Sequence, residues 1–102
     1  MEERKKNNMD GRKVYVNDWL EEIIADINFN MKINKEYAEK YPDGNYLSYV
    51  YRDEKLLDKI EKYKKVDNEG HIYFYFFPNE LESLMWVMLE NITLMGGVRN
   101  AI

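Results

Sequence analysis

The chain has no cysteine and no glutamine, a single histidine, two prolines and three alanines in 102 residues. Without cysteine there is no disulfide framework, no thiol nucleophile and no cysteine zinc site. One histidine cannot furnish a histidine-rich metal centre within one chain. Long apolar runs are also missing. The longest, Ile72 to Pro78, falls far short of the ~20 residues that span a bilayer. No Walker loop, dinucleotide-binding glycine fingerprint or EF-hand loop is present, so the sequence implies no cofactor and no metal.

What remains is enough for one domain, since domains of roughly 100–150 residues are the commonest size. Hydrophobic residues make up 45% and charged residues 33%, with a net charge of −4, a balance that supports a soluble single-core protein. Charge is unevenly spread. Residues 14–51 carry a net −4, and no segment holds the clustered Lys and Arg of a phosphate-backbone footprint, which makes nucleic acid an unfavoured partner. Lys, Asn, Tyr and Ile are abundant, and their AT-rich codons point to an AT-rich genome, that of a low-GC bacterium or its phage. The N-terminal stretch from Met1 to Asn8 is charged and leads into no signal-peptide core, so a cytoplasmic location is expected. On that basis the Asn91-Ile92-Thr93 sequon is a chance match.

Polar and aperiodic, residues 1–12 read as a mobile tail, and residues 13–102 read as a single α+β domain. Val14-Tyr15-Val16 suggests a short strand. Asp18 with Glu21 three residues later matches a capping box, and Trp19, Leu20, Ile23, Ile24, Ile27 and Met31 form one helical stripe. From Ile27 to Ile33 the pattern also alternates with period two; the favoured reading is helix to about Met31, then a short helix holding Tyr37, Ala38 and Tyr41. Pro42-Asp43-Gly44-Asn45 is a turn. Tyr46 to Tyr51, rich in aromatic and β-branched residues, predicts a strand.

Asp53 then caps a second helix running to about Lys65, its solvent face laced by the Asp58–Lys62 and Glu61–Lys65 pairs. Asp67-Asn68-Glu69-Gly70 predicts a turn and His71–Phe77 the strongest strand, apolar on both faces and so expected to be covered on both sides or to complete an interface. Asn79, with Glu82, is expected to cap a third helix that Gly96-Gly97 stops near Met95. The resulting expectation is two or three antiparallel strands packed with three main helices.

The third helix is too apolar for a simple surface helix. Leu81, Leu84, Met85, Met88, Leu89, Ile92 and Met95 share one arc at 100° per residue, the expected core face. Trp86, Val87 and Leu94 lie outside it. Apolar residues on several sides mean either burial all round or a second face for a partner. Trp86, Val87 and Leu94 are therefore the candidate self-association surface, with a symmetric homodimer the simplest form; cover by the C-terminal tail is the intramolecular alternative.

The second candidate surface is the tyrosine cluster. Tyr37, Tyr41, Tyr46, Tyr49 and Tyr51 surround the Pro-Asp-Gly turn, and Tyr46, Tyr49, Tyr51 and Arg52 are the expected partner-binding residues. Tyrosine joins a large apolar body to a polar tip at low entropic cost. The alternatives are ordinary sheet packing and base stacking with Arg52 as phosphate partner.

Catalytic candidates are few. Glu80 and Glu82 suit a first helical turn for dipole reasons alone, His71 opens an aromatic strand, and hydroxyls are scarce. In size, charge and AT-rich composition the chain resembles the small acidic proteins carried by phages and mobile elements, which are characteristically compact domains that bind and block a host protein. The resemblance implies a non-enzymatic inhibitor or modulator of a host or defence protein. The competing readings are a module that sequesters a nucleotide-like ligand between aromatic rings, with Arg52 or Arg99 as anion partner, and a structural subunit of a larger assembly.

Overall fold

The computed structural model describes residues 11–101, with side chains described from Gly11 to Ile92. The expected tail residues 1–10, and the side chain of Leu94, lie outside this range.

The alternating run after Gly70 builds the middle strand of a three-stranded antiparallel sheet of order β1-β3-β2. The strands are β1 (Arg12–Tyr15), β2 (Lys65–Val66) and β3 (Ile72–Phe76). Arg12 pairs with Phe76 and Val14 with Phe74 on the inward face, whereas Lys13 pairs with Tyr75 and Tyr15 with Tyr73 on the other. The chain thus enters the sheet at Arg12, inside the expected tail. Period-two alternation sends Phe74 and Phe76 into the core. The opposite face is not covered by the described residues, which leaves completion of an interface as the remaining expectation: Tyr75 and Phe77 are exposed, and Lys13 lies 4.5 Å from the Tyr73 ring centre. The turn between β2 and β3 forms as read, with Gly70 at φ 84° donating to the Asp67 carbonyl.

Three helices cover the inner face: α1 (Leu20–Lys40), α2 (Tyr46–Lys62) and α3 (Pro78–Ala101). The core joins Val16, Ile27, Leu56, Ile60, Phe74, Phe76 and Val87.

Several helical expectations need correction. The Asp18–Glu21 capping box does not form; a 3-10 turn, Asn17–Trp19, leads into α1 with no side-chain cap. Asn17, at φ 43°, instead accepts the Ile72 backbone N–H and ties the turn to β3. Helix α1 is continuous from Ile27 to Lys40, with Tyr41 as its C-cap, so no break or second short helix occurs there. Its buried face passes from Ile27 to Asn30 and Asn34, so polar residues hold core positions while Phe29 faces outward, and this produces the misleading alternation.

Tyr46 to Tyr51 are the first turns of α2 and not a strand. Tyr46, Tyr49, Val50, Asp53, Leu56 and Ile60 follow a helical stripe whose period is hidden by Asp53, a buried mid-helix residue instead of a cap. Asp58–Lys62 pairs at 3.3 Å, while Lys65 belongs to β2, so Glu61–Lys65 is not a helical pair.

Helix α3 starts two residues earlier than a cap at Asn79 implies, with Pro78 at its first position, where a missing N–H costs nothing. Glu80, not Glu82, reaches back to accept the Phe77 N–H at 2.8 Å. Gly96-Gly97 does not end the helix, which runs to Ala101; glycine disfavours helix by about 1 kcal/mol but does not forbid it.

The helix is also rotated from its expected setting. Val87 (1% exposed) and Asn91 face the core, flanked by Leu84, whereas Met85, Met88, Leu89 and Ile92 of the expected core arc point outward. Val87 is thus a core residue, not part of an outer surface.

Candidate functional site

Where the three helices meet, their side chains frame a groove of about 350 Å³. Helix α1 contributes Asn30, Ile33, Asn34 and Tyr37; α2 contributes Tyr46 and Tyr49; α3 contributes Trp86, Leu89 and Glu90. The tyrosine rings stand edge to face, Tyr37 to Tyr46 at 5.3 Å and 62° and Tyr46 to Tyr49 at 6.2 Å and 82°. Such angles suit the ring quadrupole and turn successive rings into adjoining walls. Gly44 makes this possible: a β-carbon there would lie 2.7 Å from the Tyr46 ring.

The floor of the groove is a polar network. Asn30, nearly fully buried, makes all four hydrogen bonds its amide allows. Its Oδ1 accepts from Arg52 Nη2 (2.9 Å) and Asn34 Nδ2 (2.8 Å), and its Nδ2 donates to Glu90 Oε1 (2.9 Å) and Asn91 Oδ1 (3.0 Å). Asn91 donates in turn to the Asp26 carbonyl. Arg52 bridges two carboxylates, donating from Nε to Asp53 at 3.0 Å and from Nη1 and Nη2 to Glu90 at 3.3 Å. These bonds link all three helices and give the interior a directional fit that apolar contacts lack.

Asp53 is the strained member. Its side chain is wholly buried, and Oδ2 has no hydrogen-bond partner among the described residues. Burial pushes its carboxyl up from 3.8 to about 6, against the pull of the Arg52 guanidinium and its hydrogen bond, with Glu90 adding a smaller upward push. A carboxyl whose folded-state value exceeds its unfolded one binds more protons when folded. Its stabilising contribution is therefore fullest below 3.8 and is lost as pH rises through about 6. Asp53→Asn, with no proton to exchange, should gain stability relative to the parent as pH is raised through that interval, measured by urea unfolding at successive pH values. A pH-independent difference between the two would contradict the assignment. Asp67 shifts the other way, lowered chiefly by the His71 backbone N–H, so its effect falls at more acidic pH.

The structure brings together residues that the sequence assigned to separate surfaces. Tyr46 and Tyr49, expected to bind a partner, and Trp86, expected to self-associate, line the same groove. Arg52 lies under it, with its guanidinium 5.1 Å from the Tyr49 ring centre. Tyr51 does not join them. It is exposed beside a second depression of about 290 Å³ that also includes Ser48, Arg52, Lys55 and Ser83, with Lys55 4.8 Å from its ring centre. Val87 lies in the core.

Sequence reasoning missed Asn30, Asn34, Asp53, Glu90 and Asn91. The available signal was polar residues at helical spacing in register with an apolar stripe: Asn30 and Asn34 follow Ile27 at three and seven residues. Elsewhere, Asp67, Glu69 and His71 cluster at the β2–β3 turn, but Asp67 Oδ1 already accepts the Glu69 and His71 backbone N–H groups.

The fold and site define an α+β domain with three helices against a small antiparallel sheet and an aromatic groove over a buried polar network. No family model, curated protein or solved structure matches the chain. Among the described residues no helix is long and apolar enough to cross a membrane.

Proposed function

We propose that this protein acts by binding other proteins, without catalysis of its own. One observation carries the reading: Met85, Trp86, Met88, Leu89 and Ile92 all stand exposed on α3, Ile92 at 65%. Met85 lies three and four residues before Met88 and Leu89, and Ile92 four and three residues after them, so the four form a continuous apolar stripe with no charge among them. Met and Trp suit such a surface, combining adaptable packing with large buried area. The expected first occupant is a second copy of the chain, since a stripe with no charge along it can pack on itself about a two-fold axis. The groove beside it is then the surface for a different protein.

Light scattering coupled to size exclusion tests the self-association. A dimer is expected at micromolar concentration, and Met88→Glu or Ile92→Glu should yield a monomer with an unchanged circular dichroism spectrum. A strict monomer in the parent chain would sink the homodimer reading.

The small-ligand reading has the groove volume in its favour, within the ~300–1,000 Å³ of ligand pockets. Thermal melting across a panel of nucleotides tests it: a shift of several degrees supports it, and no shift counts against it.

A further inference from the structure

The charges beneath the groove do not balance. Arg52 faces two carboxylates, Asp53 and Glu90, leaving the floor with an excess of negative charge. Asn34 adds to this. It is buried, it lines the groove, and it gives its Nδ2 to Asn30, while its Oδ1 takes no hydrogen bond among the described residues. Above the floor stand Tyr37, Tyr46, Tyr49 and Trp86, whose ring faces carry the negative lobe of the π quadrupole. Tyr49 already receives a cation, the Arg52 guanidinium, on its ring. The polar capacity left over is thus electron-rich: ring faces, an acceptor oxygen and surplus carboxylate charge.

An anion would meet repulsion here. A neutral apolar group would fill the space but cover Asn34 Oδ1 without bonding to it, taking an acceptor away from water with no partner in exchange. A cation that carries N–H donors on an apolar stem satisfies both requirements. Ile33 and Leu89 provide apolar wall for the stem, and the rings and Asn34 receive the head. The rim decides where such a cation comes from. Trp86 (49% exposed) and Leu89 belong both to the groove and to the exposed apolar face of α3, so the groove opens directly onto the surface proposed for protein contact. A long side chain projecting from a protein docked beside that rim reaches the floor.

From this geometry we infer that the groove between α1, α2 and α3 is a cation-recognition site for the ammonium end of a lysine side chain, unmodified or methylated, presented by a partner protein. The inference rests on the protein-binding reading and specifies the chemistry of that partner.

The test uses the isotope-labelled full chain, titrated and followed by nuclear magnetic resonance at the Asn34 side-chain amide and the Trp86 indole. The probes are choline, its uncharged carbon isostere 3,3-dimethylbutanol, and a blocked peptide containing a single lysine in unmodified or trimethylated form. Choline and at least one peptide form are expected to produce saturable shifts at both groups, and the isostere to bind at least tenfold more weakly. Tyr46→Leu should weaken binding about tenfold, within the range of a desolvated cation–π contact, while Tyr46→Phe, which keeps the ring, retains it. The Phe variant keeps the test decisive if the Leu variant unfolds. Equal affinity for choline and its isostere, or no shift with any cation, would overturn the inference. So would choline binding without either peptide, which would reassign the groove to a free small cation. Light scattering on the same samples reports self-association separately, so failure of the groove and failure of the docking stripe are distinct results.

Discussion

Replacing Arg52 with alanine is expected to cost about 3–5 kcal/mol of folding stability, the toll of removing one partner from a buried ion pair. The magnitude follows from what the guanidinium leaves behind. Asp53 is wholly buried and already has one unpartnered oxygen; without Arg52 its other oxygen is orphaned too. Glu90 and Asn30 each lose hydrogen bonds at the same time. Against a typical stability of about 5–15 kcal/mol, such a loss would leave little of the native state at elevated temperature. Arg52→Lys should fall between the parent and the alanine variant, because it keeps the charge but loses the planar fork that spans Asp53, Asn30 and Glu90.

The double variant Arg52→Met with Asp53→Leu separates two explanations. If the cost arises from an uncompensated buried charge, removing both charges together should recover most of the loss, since Glu90 retains partial access to solvent. If the double variant is as unstable as Arg52→Ala, the network itself, and not charge pairing, specifies the packing. Urea unfolding of the four proteins is the measurement.

The second large effect contrasts two neighbouring residues. Val87→Asp is expected to prevent folding, because Val87 is 1% exposed amid the core and no partner there can pair with a carboxylate. Trp86→Glu, one residue earlier, should fold with a change well below that, since the indole is half exposed at the groove rim. Circular dichroism and thermal melting would show the difference directly. Similar losses from both would mean that α3 is not rotated as described.

Legibility in the sequence tracked how the buried positions are filled. Where they hold apolar residues the pattern could be read: Phe74 and Phe76 alternate along β3, and Ile23 and Ile27 repeat along the first half of α1. Where they hold polar residues it could not. Asn30 and Asn34 occupy core positions of α1, Asp53 of α2 and Asn91 of α3, and each falls in a stretch whose period or facing was misread. Hydrophobic periodicity reports burial only while burial and hydrophobicity coincide. A buried network breaks that coincidence, and the same residues that obscured the helices form the floor of the groove. Departures of this kind are expected at functional sites, where local rules are given up for a specific arrangement.

The sequence by itself determined the fold class, three helices with a small antiparallel sheet, the strong central strand, the absence of thiol chemistry, and an excess of apolar and aromatic side chains over what one small core can hide. Tertiary structure alone decided which side of α3 that excess occupies, and it joined Tyr46, Tyr49 and Trp86 at one groove. The physical reason is that a helix faces the core with whichever side its neighbours can satisfy. Asn91 is drawn inward by Asn30 and the Asp26 carbonyl, Glu90 is held by Arg52, and the hydrogen bonds of two polar side chains turn a row of methionine, leucine and isoleucine toward solvent. No property of α3 read alone contains that information, because the groups that hold it belong to α1 and α2.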